Sequence, residues 1–248
     1  MDTNKIKMPE IHLSCNVLKF IACIIMLIDH VAFGIIHNYM IAHAMDVLPE
    51  TYIMLQKIYN VLDGIGRLAF PIFGFFLVEG FMRTRSITKY AVRLGIFAVL
   101  SEIPFDLGLF GVMFKWDHQN IILTFFIALL MLIVLKYLEE NAMGLSRPLI
   151  CIATVCAVIG FADAASLIYC DYSWKCMLLV SVLYIARSSG AFRLLAGAAS
   201  VCWEKYAPAS FLLLYFYDPT IRPKHKYAFY VFYPLHLFII YLIARLII

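Results

Sequence analysis

FIACIIMLIDH, residues 20–30, is an unbroken apolar run that ends on a carboxylate and an imidazole. A run of this kind belongs inside a bilayer. A charge near the bilayer centre costs about 2.5–3.5 kcal/mol on insertion scales, so an ionisable pair there points first to a functional site. Composition extends the reading to the whole chain. Of 248 residues, 64% are hydrophobic and 15% charged, against roughly half apolar and a quarter charged in soluble domains. The polar stretches are too short to fold alone. Residues 1–248 therefore read as one all-α polytopic integral membrane domain with no separate soluble part.

A hydrocarbon core of about 30 Å takes about 20 mainly apolar helical residues. That length picks out spans near 15–36, 65–82, 90–109, 119–138, 147–167 and 226–248. Three shorter stretches, 174–186, 191–203 and 206–217, are divided by Arg187 to Arg193 and by Glu204 and Lys205. About nine transmembrane helices are expected, with seven to ten as the range. The first span runs through Asp29 and His30 with no small-residue cleavage site after it, so it is read as retained. With a cytoplasmic N-terminus, the inner segments hold twelve Lys and Arg and the outer segments five, as the positive-inside rule requires. Lys57 falls in one of the outer segments. No internal repeat is visible.

The polar residues within the spans carry the functional question. Lys19 precedes His30 by eleven residues, which at 100° per residue returns to within about 20° of the same helix face. Lys19, Cys23 and His30 thus share a stripe. Arg67 stands at the outer end of the second span and Glu79 near its inner end. The third span carries Arg93, then Glu102 and Asp106 on one face around Pro104. His236 follows Pro234 halfway along the last span. Structural readings stand beside these: Arg67, Glu102 and Asp106 as mutual ion pairs, His236 as a kink residue bonded to a carbonyl, and Glu79 and Arg93 as side chains reaching for the inner interface. Asp29 and His30 are adjacent and point about 100° apart, so Asp29 acts on the imidazole only indirectly.

Other signals are weak. The seven cysteines show no metal-ligand spacing and read as small core residues; Cys170 and Cys176 share one loop and could pair in an oxidising compartment. His30, His37, His43, Asp46 and the KWDH at 115–118 lack any metal-binding spacing, so no metal is expected. There is no nucleotide-binding GxxxxGK[ST], and no nucleic-acid partner is expected. The basic inner loops MRTRSITKY and RPKHKY can hold a polyanion.

Four blocks, LKFIACIIMLIDHVAF, GRLAFPIFGFFLVEGFMRTRSITKYAVRLGIFAVLSEIPFDL, NIILTFFIALL and FYPLHLFIIYLI, together resemble the TraX family. That family is named for the enzyme that acetylates the N-terminal amine of conjugative F-type pilin. The blocks cover residues 18–130 and 227–243, and 145–225 carries little that matches. The resemblance implies an acetyl-CoA-dependent acyltransferase of the bacterial inner membrane. It would move acetyl from cytosolic acetyl-CoA to an amine or hydroxyl at the outer face, on a pilin N-terminus, a glycan or a small acceptor. It further implies His30 as base with Asp29 fixing its tautomer or raising its basicity; Arg67, by its position, stands to stabilise the thioester oxyanion or to orient a carboxylate. Glu102, Asp106 and His236 complete the expected catalytic set. Arg83, Arg85, Arg93, Arg187 and Lys224 are the expected holders of the CoA phosphates. A proton-coupled transporter using Asp29, His30, Glu102 and His236 as a relay, or a non-catalytic membrane assembly factor, are the alternatives; oligomeric state is left open.

Overall fold

The computed structural model describes residues 12–141, 146–221 and 226–248. Among these every regular element is a helix, joined by two isolated bridges, Leu13 with Tyr217 and Gln119 with Cys170. Helix α1, Cys15–Val31, starts where the Ser14 side chain accepts from the Val17 amide. Directly after His30 the chain widens into a π-helical segment, Ala32–His37, before α2, Asn38–Ala42. Such widenings are rare and gather at functional sites. Helix α3, Pro49–Gly66, begins on a proline at its first position, where the missing N–H has no partner to lose. Arg67 and Leu68 break the chain before α4, Ala69–Arg83.

Helix α5, Ile87–Phe110, is capped by Ser86, which accepts from the Lys89 amide, and ends on Gly111 at φ 69°, a left-handed position that suits glycine. Asn120 caps α6, Ile121–Glu140, by accepting from the amides of Ile122 and Leu123. Then come α7, Arg147–Leu167, α8, Ser173–Ile185, α9, Gly190–Ser200, α10, Ser210–Tyr215, and α11, Lys226–Ile247.

Five segments are long and apolar enough to cross a membrane: Cys15–Ala42, Pro49–Arg83, Ile121–Glu140, Arg147–Leu167 and Tyr227–Ile247. The count of nine would need four more. Helix α5 has the length, at 24 residues, but carries Lys89, Arg93, Glu102 and Asp106. Helices α8, α9 and α10 have 13, 11 and 6 residues. At about 1.5 Å per residue none of those three reaches across a core of about 30 Å. Short helices survive at membrane depth where protein covers their ends, and α8 is so covered, with Cys176, Met177, Leu179, Val180, Ser181, Leu183 and Tyr184 all buried. Helix α3 was read from sequence as an outer connection. Glu50, Gln56, Lys57, Asn60 and Asp63 break every long apolar run there, yet the helix packs on α1 and its π segment.

Helix α4 is the centre of the bundle. Its Ile72, Phe75, Phe76, Leu77 and Val78 are buried, and it packs on α1, α6 and α8. Helix α7 is the opposite case: Ala165 is its one buried residue, while Ile152, Val155 and Ile159 are exposed. An apolar helix bare on nearly all sides belongs against lipid. Helices α5 and α11 run along each other and close on the π segment. Glycine is required at that junction. A Cβ on Gly108 would stand 2.6 Å from the Leu237 carbonyl oxygen, and one on Gly34 would stand 2.6 Å from the Gly108 oxygen. This close approach brings α11, with His236, against α1, with His30.

Candidate functional site

His30 and His236 form a hydrogen-bonded pair. Nδ1 of His30 lies 2.7 Å from Nε2 of His236, with the ring planes 4° apart. Nδ1 of His236 lies 2.8 Å from the Phe232 carbonyl oxygen. The carbonyl can only accept, so His236 Nδ1 carries a proton and donates it. With both rings neutral, His236 Nε2 is then an acceptor and His30 Nδ1 is the donor to it. His30 Nε2 is left with its lone pair free, and no described residue bonds to it. The kink-histidine reading of His236 is correct as far as the carbonyl goes; the carbonyl bond also orders the second imidazole.

Asp29 does not take part in this pair. It faces Gly66, where any Cβ would collide with its carboxylate, and its charged neighbours are Arg67, Asp63 and Asp171. The place expected for Asp29 beside the imidazole is filled by His236. The reason is the angle between successive helical side chains, which turns Asp29 toward α3 while His30 turns toward α11.

The mutual ion pairs expected of Arg67, Glu102 and Asp106 are also absent. Arg67 bonds Asp63, one turn back on α3, at 2.5 Å and reaches the Tyr172 hydroxyl at 3.4 Å. Tyr172 is itself stacked on Phe70, the ring centroids 4.0 Å apart. In the connection before α8, burial pushes the Asp171 carboxyl above the usual carboxylate range, against the pull of His118 and Arg67. Glu102 bonds the side-chain amide of Asn120, the residue that caps α6. Asp106 accepts from the Lys115 amide at 2.8 Å. Both carboxylates therefore fasten α5 to the connection that starts α6.

A pocket of about 550 Å³ opens beside the α4–α5 turn. Lys19, Arg83, Arg85, Lys89 and Arg93 line it, with Tyr90, Tyr230 and Phe229, and Met26, Ile122, Phe125 and the buried Tyr233 lie along it too. The Tyr233 ring stands edge-on to both imidazoles, with centroids 6.0 Å from His30 and 5.6 Å from His236. One aromatic ring of the pocket lining thus borders the histidine pair. Arg93 is held among Tyr90, Tyr227 and Tyr230, 5.4–5.9 Å from their ring centroids. Lys19 lies over Phe76 at 5.3 Å.

Arg83 is committed elsewhere, 2.9 Å from Glu79 and 2.7 Å from the Pro219 carbonyl. Glu79 also pairs at 2.6 Å with Arg193. Glu79 thus joins the half-exposed Arg83 to the buried Arg193 in one ion cluster. Lys19, Arg85, Lys89 and Arg93 have no carboxylate partner among the described residues. Of the cations expected at a phosphate site, the structure gathers Arg83, Arg85 and Arg93. Arg187 lies apart, bonded to Glu139 and stacked over Tyr184, and Lys224 falls outside the described residues.

Sequence reasoning left Lys89 and Tyr233 out of the site. Lys19 was half visible through its spacing from His30; Tyr233, as an aromatic residue in an apolar run, gave no signal. Among the described residues no three His, Cys, Asp or Glu side chains converge as a metal site. Cys170 and Cys176 are buried and free.

A family model described as TraX protein matches residues 14–244. The chain belongs to the TraX family. The match takes in both histidines and every cation of the pocket. This TraX chain is also similar to the probable fimbrial assembly protein FimC, serogroup H1, of Dichelobacter nodosus. The two are 29% identical over 209 residues, which is 72% of this chain and 81% of FimC. No solved structure matches.

Proposed function

We propose that this TraX protein transfers an acetyl group from acetyl-CoA to an amine or hydroxyl acceptor, with a pilin N-terminus as the first candidate given the family and the fimbrial relative. The observation that carries the reading is a cation-lined pocket that includes Tyr233, whose ring borders an imidazole pair with one free nitrogen. A polyanionic donor is held at the mouth by charge-assisted hydrogen bonds, and its apolar arm follows the aromatic wall toward Tyr233. His30 Nε2 takes the proton of the acceptor as it attacks the thioester. His236 Nε2 accepts from His30 Nδ1 and steadies the imidazolium that forms, a role carboxylates fill in hydrolase triads.

The pocket mouth faces the cytoplasm of the inner membrane in this reading, because the segments around it concentrate Lys and Arg. Cysteines placed at Ser86 and Thr220, in a cysteine-depleted background, are expected to resist a membrane-impermeant label in intact cells and to react after lysis. Labelling of both from outside reverses the orientation.

The donor site has its own test. A hydrogen bond to a charged group contributes about 1.5–3 kcal/mol, which is roughly tenfold or more in affinity per cation. Arg85→Gln and Lys89→Gln are each expected to raise the KM for acetyl-CoA by about that factor and to steepen its dependence on salt. Turnover at saturation should change little. Arg187→Gln should leave the KM as it was. An unchanged KM in the first two variants places the phosphates elsewhere.

A further inference from the structure

The floor of the donor pocket holds a polar group that the proposed reaction has not used. Tyr233 is 4% exposed and its hydroxyl has no hydrogen-bond partner in bonding geometry among the described residues. Buried hydroxyls are almost always bonded, so an orphan calls for an explanation. Its polar neighbour is the Ile121 amide at the start of α6. Asn120 accepts from the amides of Ile122 and Leu123 and not from that of Ile121, so the Ile121 N–H stays near the phenol oxygen with no cap of its own. An N–H offered to that oxygen polarises the O–H bond toward whatever enters the pocket, and the positive end of a 20-residue helix adds to the effect. Ile121, Ile122 and Tyr233 all line the pocket, and the phenol ring borders both imidazoles.

We infer that the Tyr233 hydroxyl, backed by the Ile121 amide, is the donor that stabilises the oxyanion of acyl transfer. The inference rests on the proposed acetyl-CoA chemistry. The lone pair of the acceptor forms a bond to the thioester carbonyl carbon, and the carbonyl π pair moves to oxygen, where it accepts from Tyr233 O–H. His30 Nε2 takes the acceptor's proton. When the oxyanion collapses, the pair returns to the carbon–oxygen bond and the carbon–sulfur bond breaks. The CoA sulfur leaves with that pair and receives the proton from His30. Arg67, the group expected at the oxyanion, does not line this pocket and is held by Asp63 and Tyr172.

The test is Tyr233→Phe in the purified full chain, read against the wild type. Removing one oxyanion donor typically costs about 10²–10³ in kcat. The expected result is a loss of that size with the KM for acetyl-CoA, the affinity for a non-transferable ketone analogue of acetyl-CoA, and the melting temperature all unchanged. A kcat near wild type overturns the assignment while the acyltransferase reading stands. A loss that appears in analogue binding or in melting temperature also overturns it, because the hydroxyl would then serve donor binding or folding. If the wild-type chain turns over no acetyl-CoA, the proposed function fails and the Tyr233 assignment falls with it.

Discussion

His30→Gln is expected to lose most acetyl transfer while still binding acetyl-CoA. A positioned general base contributes about 10²–10⁴ in rate, and His30 Nε2 is the free nitrogen of the pair. The donor cations lie toward the other end of α1: Lys19 is eleven residues from His30, about 16 Å along the helix axis. Isothermal titration with acetyl-CoA should therefore give the wild-type affinity. His236→Gln tests the pairing. If the Phe232 carbonyl acts through His236 to set the His30 tautomer, this variant also loses rate, and the pH profile of kcat shifts because His30 no longer has its fixed partner. Asp29→Asn should change rate far less, since that carboxylate faces Gly66. Near-normal transfer by His30→Gln beside an inactive His236→Gln moves the base to α11. A trapped acetyl-His30 in the absence of acceptor keeps the residue and makes it the nucleophile.

The sequence was informative where one helix carries the whole signal. Lys19 and His30 lie on one segment, so a period of 3.6 residues was enough to place them on one stripe, and the structure puts Lys19 in the cation-lined pocket and His30 beside its Tyr233. The membrane class followed from composition, and the long apolar helices were readable from length. The partner of His30 was not legible, because it is 206 residues away and depends on glycines that let α1, α5 and α11 approach closely. Arg67, Glu102 and Asp106 were expected to pair because charges inside membranes usually do. Their partners turned out to be Asp63, Asn120 and the Lys115 amide, and two of these three are polar groups without charge, which a census of ionisable residues passes over. Helix α3 was missed for a related reason: its polar residues break the apolar run, although its packing on α1 does not need one. Arg187 shows the limit of assigning phosphate contacts from charge alone, since Glu139 already occupies it.

The ion cluster at the wall of the cation-lined pocket should control stability more than any other polar contact. Arg193 is 8% exposed and pairs with Glu79 at 2.6 Å, while its guanidinium lies over Phe75 at 4.3 Å. Tyr217 adds a contact to Glu79 at 3.4 Å, so α4, α9 and the end of α10 meet on one carboxylate. Desolvating two charges costs heavily, and their attraction offsets that cost only while both are present. Removing Glu79 leaves Arg193 buried and uncompensated, which typically costs about 3–5 kcal/mol, whereas removing Arg193 leaves Glu79 its bond to Arg83. Glu79→Ala is expected to lower the thermal midpoint in detergent by a large margin, and Arg193→Ala by less. Replacing both with apolar residues of similar volume, Glu79→Leu with Arg193→Met, removes the stranded charge as well as the pair. That double variant should melt well above Glu79→Ala, because the loss in that single variant comes from the stranded Arg193 more than from the missing bond. Additive losses in the double variant would show that the pair itself, and not the stranded charge, carries the stability. The two single variants should also differ in donor binding. Without Glu79 the pocket loses its one acidic lining residue and Arg83 is released from it, so the KM for acetyl-CoA should fall in whatever fraction of Glu79→Ala remains folded; without Arg193 the carboxylate stays at the pocket wall, and the KM should not fall.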